Sequence, residues 1–541
     1  MRRFKQLLAG ILCAVLMVSM SACGTSSSGS TPNSTGGTSN ATDATDKFDK
    51  HITFSATSIN LPENVGFMDD DIFKTFNEKF NFSYELTNIT WETWDERDRL
   101  WISSGDMPDM LFWNFNLKDY KSYSKQGLVK ALPANLKEKY PNLAAAMAKT
   151  GIADYLQNAD SDNNLYMIPN IIYLNPPTET TDIILDPKVL FYRKDWAKEV
   201  GIEVGETVTL EQISDLAQAF INEDPGKNGA GKTVGITATP ANMDAVFVQS
   251  GNAFFDQFYK GKDGKYAWGG FDESTLAGIK NLRKYYEMGI IDADYYAFKG
   301  KEHYEKFDSG IAGMFYDGAS AANVDERFNA FKRSNPNIDP SEAIGLAVVV
   351  GDDGKFRGQQ NVINYWAGLL FRPDLDDETM ARILSILDYT CTEEGQRLIH
   401  CGIEGKDYKM NGDEIVITRN KDDSGNFVSI ADLYPSYNFF FTKAVLPDDW
   451  SARDPSLPTA VREQAVNMFH VKEKNTDLIE PDYDIVLFDG EKKLKFPLLI
   501  NDIITEIVVS GDDIDSRWNS FKADNQKTVQ EVLDEINASL T

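Results

Sequence analysis

Residues Gly226-Lys-Asn-Gly-Ala-Gly231-Lys232-Thr233 satisfy the pattern of a phosphate-cradling loop. Such a loop works because a strand precedes it and a helix follows, so that the amide groups of the helix N-terminus face the anion. Here the order is reversed: a helical pattern over Thr209 to Phe220 comes first and the strand-like Val234 to Thr237 comes after. Phosphate binding is therefore not expected. The four histidines, His51, His303, His400 and His470, are widely spread without HExxH spacing, and no GxSxG turn occurs. Carboxylate pairs such as Glu393 with Glu394 or Asp106 with Asp109 arise by chance among 83 acidic residues. A glycosidase needs two set ~5–10 Å apart across a sugar, and spacing along the chain does not supply that. Catalysis has no positive support.

Aromatic residues are the more informative class, at 12% of the chain with nine Trp and 22 Tyr. Their planes can take the apolar C–H faces of sugar rings, whose hydroxyls then need Asp, Asn, Arg or backbone partners in a preformed cleft. A net charge of −29 argues against nucleic acid or another polyanion as partner. Hydrophobic content of 42% over a chain of 541 residues is enough for two cores.

The elements that would position such side chains can be read in order. Ile52 to Ala56 alternates as a strand, Phe73, Phe76 and Phe80 recur at helical spacing, and Phe82 to Leu86 alternates again. A helical stretch then ends at Gly105 before a strand over Met110 to Trp113, which gives a β-α-β-α-β opening. Ile184 to Trp196 is an extended run that can cross between lobes. After it Thr209 is placed to cap a helix, with Gln212 closing a capping box and Leu210, Ile213, Ala217 and Phe220 on one face. Asp272 can cap a further helix whose stripe is Leu276, Ile279, Leu282 and Tyr286. Ala343 to Val350 is a second extended run, expected to carry the chain back to the first lobe, and a third crossing is expected around Asp448 to Asp454.

The run FYRKDWAKEVGIEVGETVTLEQISDLAQAFINEDPGKNGAGKTVGIT resembles a stretch of family-1 extracellular solute-binding lipoproteins, which serve sugar-importing ABC transporters. SSGDMPDM (103–110), YMIPN (166–170), YYEMGIIDADY (285–295), SGIAGMFYDG (309–318) and EEGQRLIHCGIEGKDY (393–408) are similar too, in the family's order. The resemblance implies an α/β chain in the two-lobe periplasmic-binding-protein fold, type II-like, with two discontinuous lobes. Lobe 1 is expected over 47–186 plus 345–447, and lobe 2 over 193–342 plus 450–541.

At the N-terminus, Arg2, Arg3 and Lys5 precede an apolar stretch from Leu7 to Val18, too short for a bilayer span and fitting a signal peptide over 1–22. Met20-Ser-Ala-Cys23-Gly24 resembles a bacterial lipobox, with Met20 where leucine is commoner. Its cysteine would be diacylated, and two acyl chains hold a domain stably at a membrane. Ordinary secretory cleavage beside an incidental cysteine is the alternative. Residues 23–46 are almost all Ser, Thr, Gly, Asn, Ala and Asp, a flexible tether with a reach of ~25 Å. Cys391 and Cys401 flank a short helical pattern that would hold them ~15 Å apart, so two unpaired thiols are expected.

In some members of the resembling family the loop after the Thr209 helix binds calcium. Here Asp224 and Asn228 match its first and fifth ligands, while Gly226 and Lys232 stand where oxygen donors belong. A metal-free turn is the expectation, with no cofactor. In open α/β sheets ligands gather beyond the carboxyl ends of strands. The two-lobe reading then puts Asn60, Trp113, Asn114, Asn170, Phe254, Phe255, Tyr316, Asp317, Tyr365, Trp366 and Tyr437 near the cleft. Arg193 is expected to brace the hinge, with reaching the ligand as the alternative. The implied function is capture of an oligosaccharide between the lobes by a lipid-anchored, extracytoplasmic monomer that passes it to permease subunits. A secreted carbohydrate hydrolase and a surface sensor lipoprotein are the competing readings.

Overall fold

A computed structural model of the protein describes residues 48–541, apart from 92, 149–151, 172–187, 299, 358–364, 423–424, 444–449, 477–482, 487 and 541. Cys23 and the segments expected to be a leader and a tether lie outside the described residues. Five strands, β1 (Ile52–Ile59), β2 (Phe82–Ile89), β3 (Met110–Asn114), β4 (Ile168–Ile171) and β12 (Tyr365–Phe371), form one sheet in the order β2-β1-β3-β12-β4. The first three run parallel, and β12 is antiparallel to both its neighbours. A second sheet has the order β6-β11-β5-β10-β7, from β5 (Lys188–Arg193), β6 (Thr207–Val208), β7 (Val234–Thr237), β10 (Ala312–Gly318) and β11 (Ile344–Val349). Two small ribbons complete the strands: β8 (Phe258–Lys260) with β9 (Tyr266–Trp268), and β13 (Tyr408–Asn411) with β14 (Glu414–Ile417).

Side-chain periodicity explains how each sheet is covered. In the helix Asp71–Phe80, Ile72, Phe73, Phe76 and Phe80 recur on one face and are buried against the first sheet, while Asp70 accepts the Phe73 amide as N-cap. Full burial of each such phenylalanine is worth ~1.5–3 kcal/mol. In the second sheet both faces are covered. Leu190 and Tyr192 of β5 join one core while Val189 and Phe191 join another, because successive strand residues point to opposite faces. The helix Leu210–Glu223 carries the expected capping box, with Gln212 donating its amide to Thr209 Oγ1 at 3.3 Å and accepting the Thr209 amide at 2.9 Å. The long helix Ile514–Leu540 adds Trp518, Phe521, Val529, Val532 and Ile536 to the core that Leu190 and Tyr192 join.

Three expectations are corrected. Ala343 to Val350 does not begin the return to the first sheet. Its strand β11 lies between β6 and β5 with both faces buried, which is why it is apolar without alternation. The strand that rejoins the first sheet is β12, where Leu369 pairs with Phe112. Asp272 precedes the helix Glu273–Glu287 but does not cap it with its side chain; that carboxylate accepts instead from Tyr259 Oη at 2.8 Å and Asn252 Nδ2 at 3.1 Å. Arg193 braces the second sheet's own packing rather than a hinge: it grips Asp195 with Nε and Nη2, at 2.8 and 2.6 Å, and lies over Trp196 and Phe331. Cys391 and Cys401 are unbridged, and burial raises both thiols to about 12. Among the described residues no helix is long and apolar enough to cross a membrane.

Candidate functional site

The carboxyl ends of β1 and β10 are linked to one cavity of about 630 Å³. On the first sheet's side its wall includes Tyr437, the first residue of the helix Tyr437–Lys443. That helix is tied to β1 by Ser58, whose Oγ donates to the Asn438 carbonyl at 3.0 Å, and to Asp70 by Ser436, whose amide and hydroxyl both reach it at 2.7 Å. The cap of one helix thereby fixes the start of another. On the other side stand Asp325, from the helix Ala321–Ser334 that follows β10, and Thr459, which opens the helix Thr459–Asn475 on the second sheet's core. Asn426 closes the gap, donating from Nδ2 to Asn329 Oδ1 at 2.8 Å, while Asn329 donates to Asp325 at 2.9 Å.

The lining mixes charge and aromatic surface. Arg419 is held by a bond from Nε to the Val428 carbonyl at 2.8 Å, and Lys421 lies 4.7 Å from the Phe427 ring. Asp454 accepts from the Ser456 amide at 2.8 Å and hydroxyl at 2.6 Å; burial raises its pKa despite those bonds. Asp325 is raised by burial too, and by the charge of Asp454. His400 stacks on Trp450 at 4.8 Å and 12°, and burial with Arg453 nearby lowers it to about 3, so it is neutral at ordinary pH. Its buried Nε2 has no hydrogen-bond partner among the described residues. Carboxylates, a guanidinium, carboxamides and ring faces suit a polyhydroxylated molecule: they offer donors and acceptors with no fixed net sign.

Of the residues expected at a cleft, Tyr437 lines this cavity. Asn60 is exposed just past β1 with φ of 49°, and Asn114 at the end of β3 donates from Nδ2 to Asp95 at 2.7 Å. Asn170 is half-buried on β4. Asp317 is the penultimate residue of β10; burial would raise its pKa, but bonds from His303 at 3.2 Å and the Tyr304 hydroxyl at 2.7 Å hold it below the usual carboxylate value. Trp113, Phe255 and Tyr316 are core residues, 2%, 4% and 4% exposed; Trp113 and Tyr316 belong to strands covered on both faces, and Phe255 packs into the second sheet's core from a turn. Phe254 stacks on Tyr259 at 4.8 Å, which occupies one of its faces. Tyr365 and Trp366 open β12, and their side chains lie outside the described residues. Sequence reasoning missed Asp325, Arg419, Lys421 and Asp454, which come from three distant segments and share no local pattern.

No family model matches the chain. It is 24% identical over 310 residues to the fructooligosaccharide ABC transporter substrate-binding protein FusA of Streptococcus pneumoniae, covering 55% of this chain and 56% of that protein. It is 22% identical over 366 residues to the polygalacturonan/rhamnogalacturonan-binding protein YtcQ of Bacillus subtilis, covering 65% and 66%. The chain is thus similar in sequence to two carbohydrate-binding proteins, one of them an ABC transporter substrate-binding protein. These relatives are binding proteins, not enzymes. The matched part spans between about half and two thirds of their length. The fold matches over more: the S. pneumoniae FusA structure with kestose superposes with a TM-score of 0.68 at 17% identity, over 90% of this chain and 98% of that one. The fold is thus the two-lobe solute-binding architecture.

A FusA variant described as an EF-hand mutant, TM-score 0.65 at 17% identity over 90% of this chain and all of that one, directs attention to the Asp224 loop. Gly229 stands sixth with φ of 97°, where an EF-hand needs its glycine, so the turn is kept. The ligands are not. Gly226, Lys232 and Gly235 fill the third, ninth and twelfth positions; a Cβ on Gly226 would lie 2.7 Å from the Trp196 ring, and one on Gly235 2.6 Å from the Ile290 carbonyl oxygen. Asp224 accepts instead from Thr233 Oγ1 at 2.6 Å and from the Asn228 and Gly229 amides at 3.0 and 2.8 Å, and these bonds, the Thr233 hydroxyl first, lower its pKa. This donor set does not fit calcium. Among the described residues no group of three or more His, Cys, Asp or Glu could hold a metal.

Proposed function

We propose that the chain is an extracytoplasmic solute-binding protein, anchored through a diacylated Cys23, that captures an oligosaccharide between its two lobes and delivers it to the permease subunits of an ABC transporter. In this reading lobe 1 comprises 48–171 and 365–443, and lobe 2 comprises 188–349 and 450–541. Binding favours the closed arrangement because only there does the sugar touch both lobes. The observation that carries the proposal is the cavity walled by Tyr437 on one side and Asp325 on the other, with hydroxyl-matching groups between them. The oligosaccharide named for FusA and the pectic polymers named for YtcQ point to the same ligand class. Tyr437, Asp325, Arg419, Asn426 and Asp454 of the cavity lining are the side chains assigned to the ligand, with Asn60, Asn114, Asn170 and Asp317 at strand ends as outer candidates; no metal takes part.

The test is titration of the chain, carrying Cys23→Ala to prevent acylation, with fructo-oligosaccharides and oligogalacturonides, followed by tryptophan fluorescence. Saturation at micromolar sugar with the sugar recovered intact supports the proposal. Turnover, or no response to either series, overturns it.

A further inference from the structure

β1 and β2 end in step: Ile59 pairs with Ile89, and the Asn60 amide donates to the Ile89 carbonyl at 2.8 Å. The residues just beyond the parallel strands β2, β1 and β3 therefore form a row along one edge of the first sheet. In that row are the exposed Asn60, the Asn114 carboxamide and Trp91. Trp91 is 53% exposed, whereas Trp94, Trp113, Trp196, Trp268, Trp450 and Trp518 are each 4% exposed or less. Nothing in its surroundings makes it a loose ring. Thr93 donates its amide to the Thr90 carbonyl at 3.1 Å, closing the turn, and Arg97 Nη1 clasps the Asn88 carbonyl at 2.8 Å. The indole stands edge-on to Trp94 at 5.6 Å and 72°. Trp94 is itself fixed, stacked on Phe112 at 4.9 Å and donating from Nε1 to the Phe112 carbonyl at 2.8 Å. A large rigid aromatic surface is thus presented to solvent at the end of the sheet where ligands gather, beside two carboxamides.

We propose that Trp91 is the platform of an outer sugar subsite, stacking on the apolar C–H face of one ring of an oligosaccharide whose other units occupy the cavity at Tyr437. The inference rests on the proposed function. Trp91 follows β2, which pairs with β1, and through Ser58 β1 holds the start of the helix that carries Tyr437; the platform therefore lies on the first sheet's side of the cavity, outside its lining. Shorter sugars would fill the cavity without reaching the platform. Trp91 is then a determinant of chain length, with Asn60 and Asn114 available to the hydroxyls of the stacked ring.

The experiment measures affinity by titration calorimetry on the full chain and on Trp91→Ala and Trp91→Phe, using fructo-oligosaccharides and oligogalacturonides of two to six units. In the series that binds, Trp91→Ala should lose about tenfold or more for tetramers and longer, corresponding to one stacking contact of ~1.4 kcal/mol, and under about twofold for dimers. Trp91→Phe should retain most of the affinity, and neither variant should shift the thermal midpoint. An unchanged affinity at every length, or an equal loss at every length, overturns the subsite while leaving the binding function standing. A wild-type chain that binds neither series overturns the function and the subsite together.

Discussion

Asp244 offers a test of the structure in which the sign and size of the effect follow from burial alone. It lies in the helix Pro240–Asp244 with no exposed surface, accepting from Asn501 Nδ2 at 2.7 Å through one oxygen, while the other has no partner among the described residues. Burial pushes its pKa from 3.8 up to about 8, with the Asn501 bond opposing and the nearby charges of Asp256 and Asp502 adding a little. The folded state holds this proton more tightly than the unfolded state, so stability falls as pH rises from about 4 towards 8. Between pH 5 and pH 9 this one group should remove ~4 kcal/mol. Asp244→Asn replaces a neutral acid by a neutral amide, keeps an acceptor for Asn501, and deletes the titration. A constant offset of ~1–3 kcal/mol is expected if the new amide finds no acceptor, and it does not depend on pH. Asp98, raised to about 8 mainly by burial, slopes in the same direction in both proteins and cancels in the difference. Urea unfolding at pH 5, 7 and 9 should therefore show the variant gaining on the wild type, by ~4 kcal/mol across the range. Parallel pH profiles for the two proteins would refute the reasoning, because Asp244 would then be ionised or solvated in the folded chain.

Three further outcomes can be checked directly. Tyr437→Ala should weaken sugar binding by about tenfold or more, equivalent to ~1.4 kcal/mol, and Tyr437→Phe should show by calorimetry how much of that belongs to the hydroxyl. Adding calcium or a chelator should leave the thermal midpoint of the wild type unchanged, while Asp224→Ala should lower it equally in both conditions, since the loop's donors lose their acceptor. His400, lowered to about 3 by burial and by Arg453, is neutral when folded, so it supports folding above pH 6.5 and that support fades as pH falls towards 3. In His400→Gln the acid limb of the stability profile should be correspondingly shallower, as read by unfolding between pH 3 and 7.

What could be read from the sequence divides by the range of the interactions involved. The Thr209–Gln212 capping box and the stripe Phe73, Phe76, Phe80 depend on neighbours within a few positions, and both stand in the structure as expected. The run Ala343 to Val350 announced a strand but not its sheet, because β11 is placed by pairing with β5, some 150 residues earlier in the chain. At the site, burial on both faces of the strands mattered most. Trp113 and Tyr316 sit one residue before Asn114 and Asp317, in strands whose side chains are buried on either face until the carboxyl end, where Asn114 and Asp317 become half-buried. An aromatic-counting argument does not distinguish the two positions, because it needs to know where the sheet's cover ends. Trp91 was passed over for the converse reason: it follows no periodic stripe, and only the finished fold shows it exposed beside Asn60. The cavity's charged groups were out of reach in principle, since Asp325, Arg419 and Asp454 meet only after two sheets and the segments between them are packed. A binding site made where two lobes face one another is the part of such a chain that local pattern encodes least, because its geometry depends on the farthest contacts in the fold.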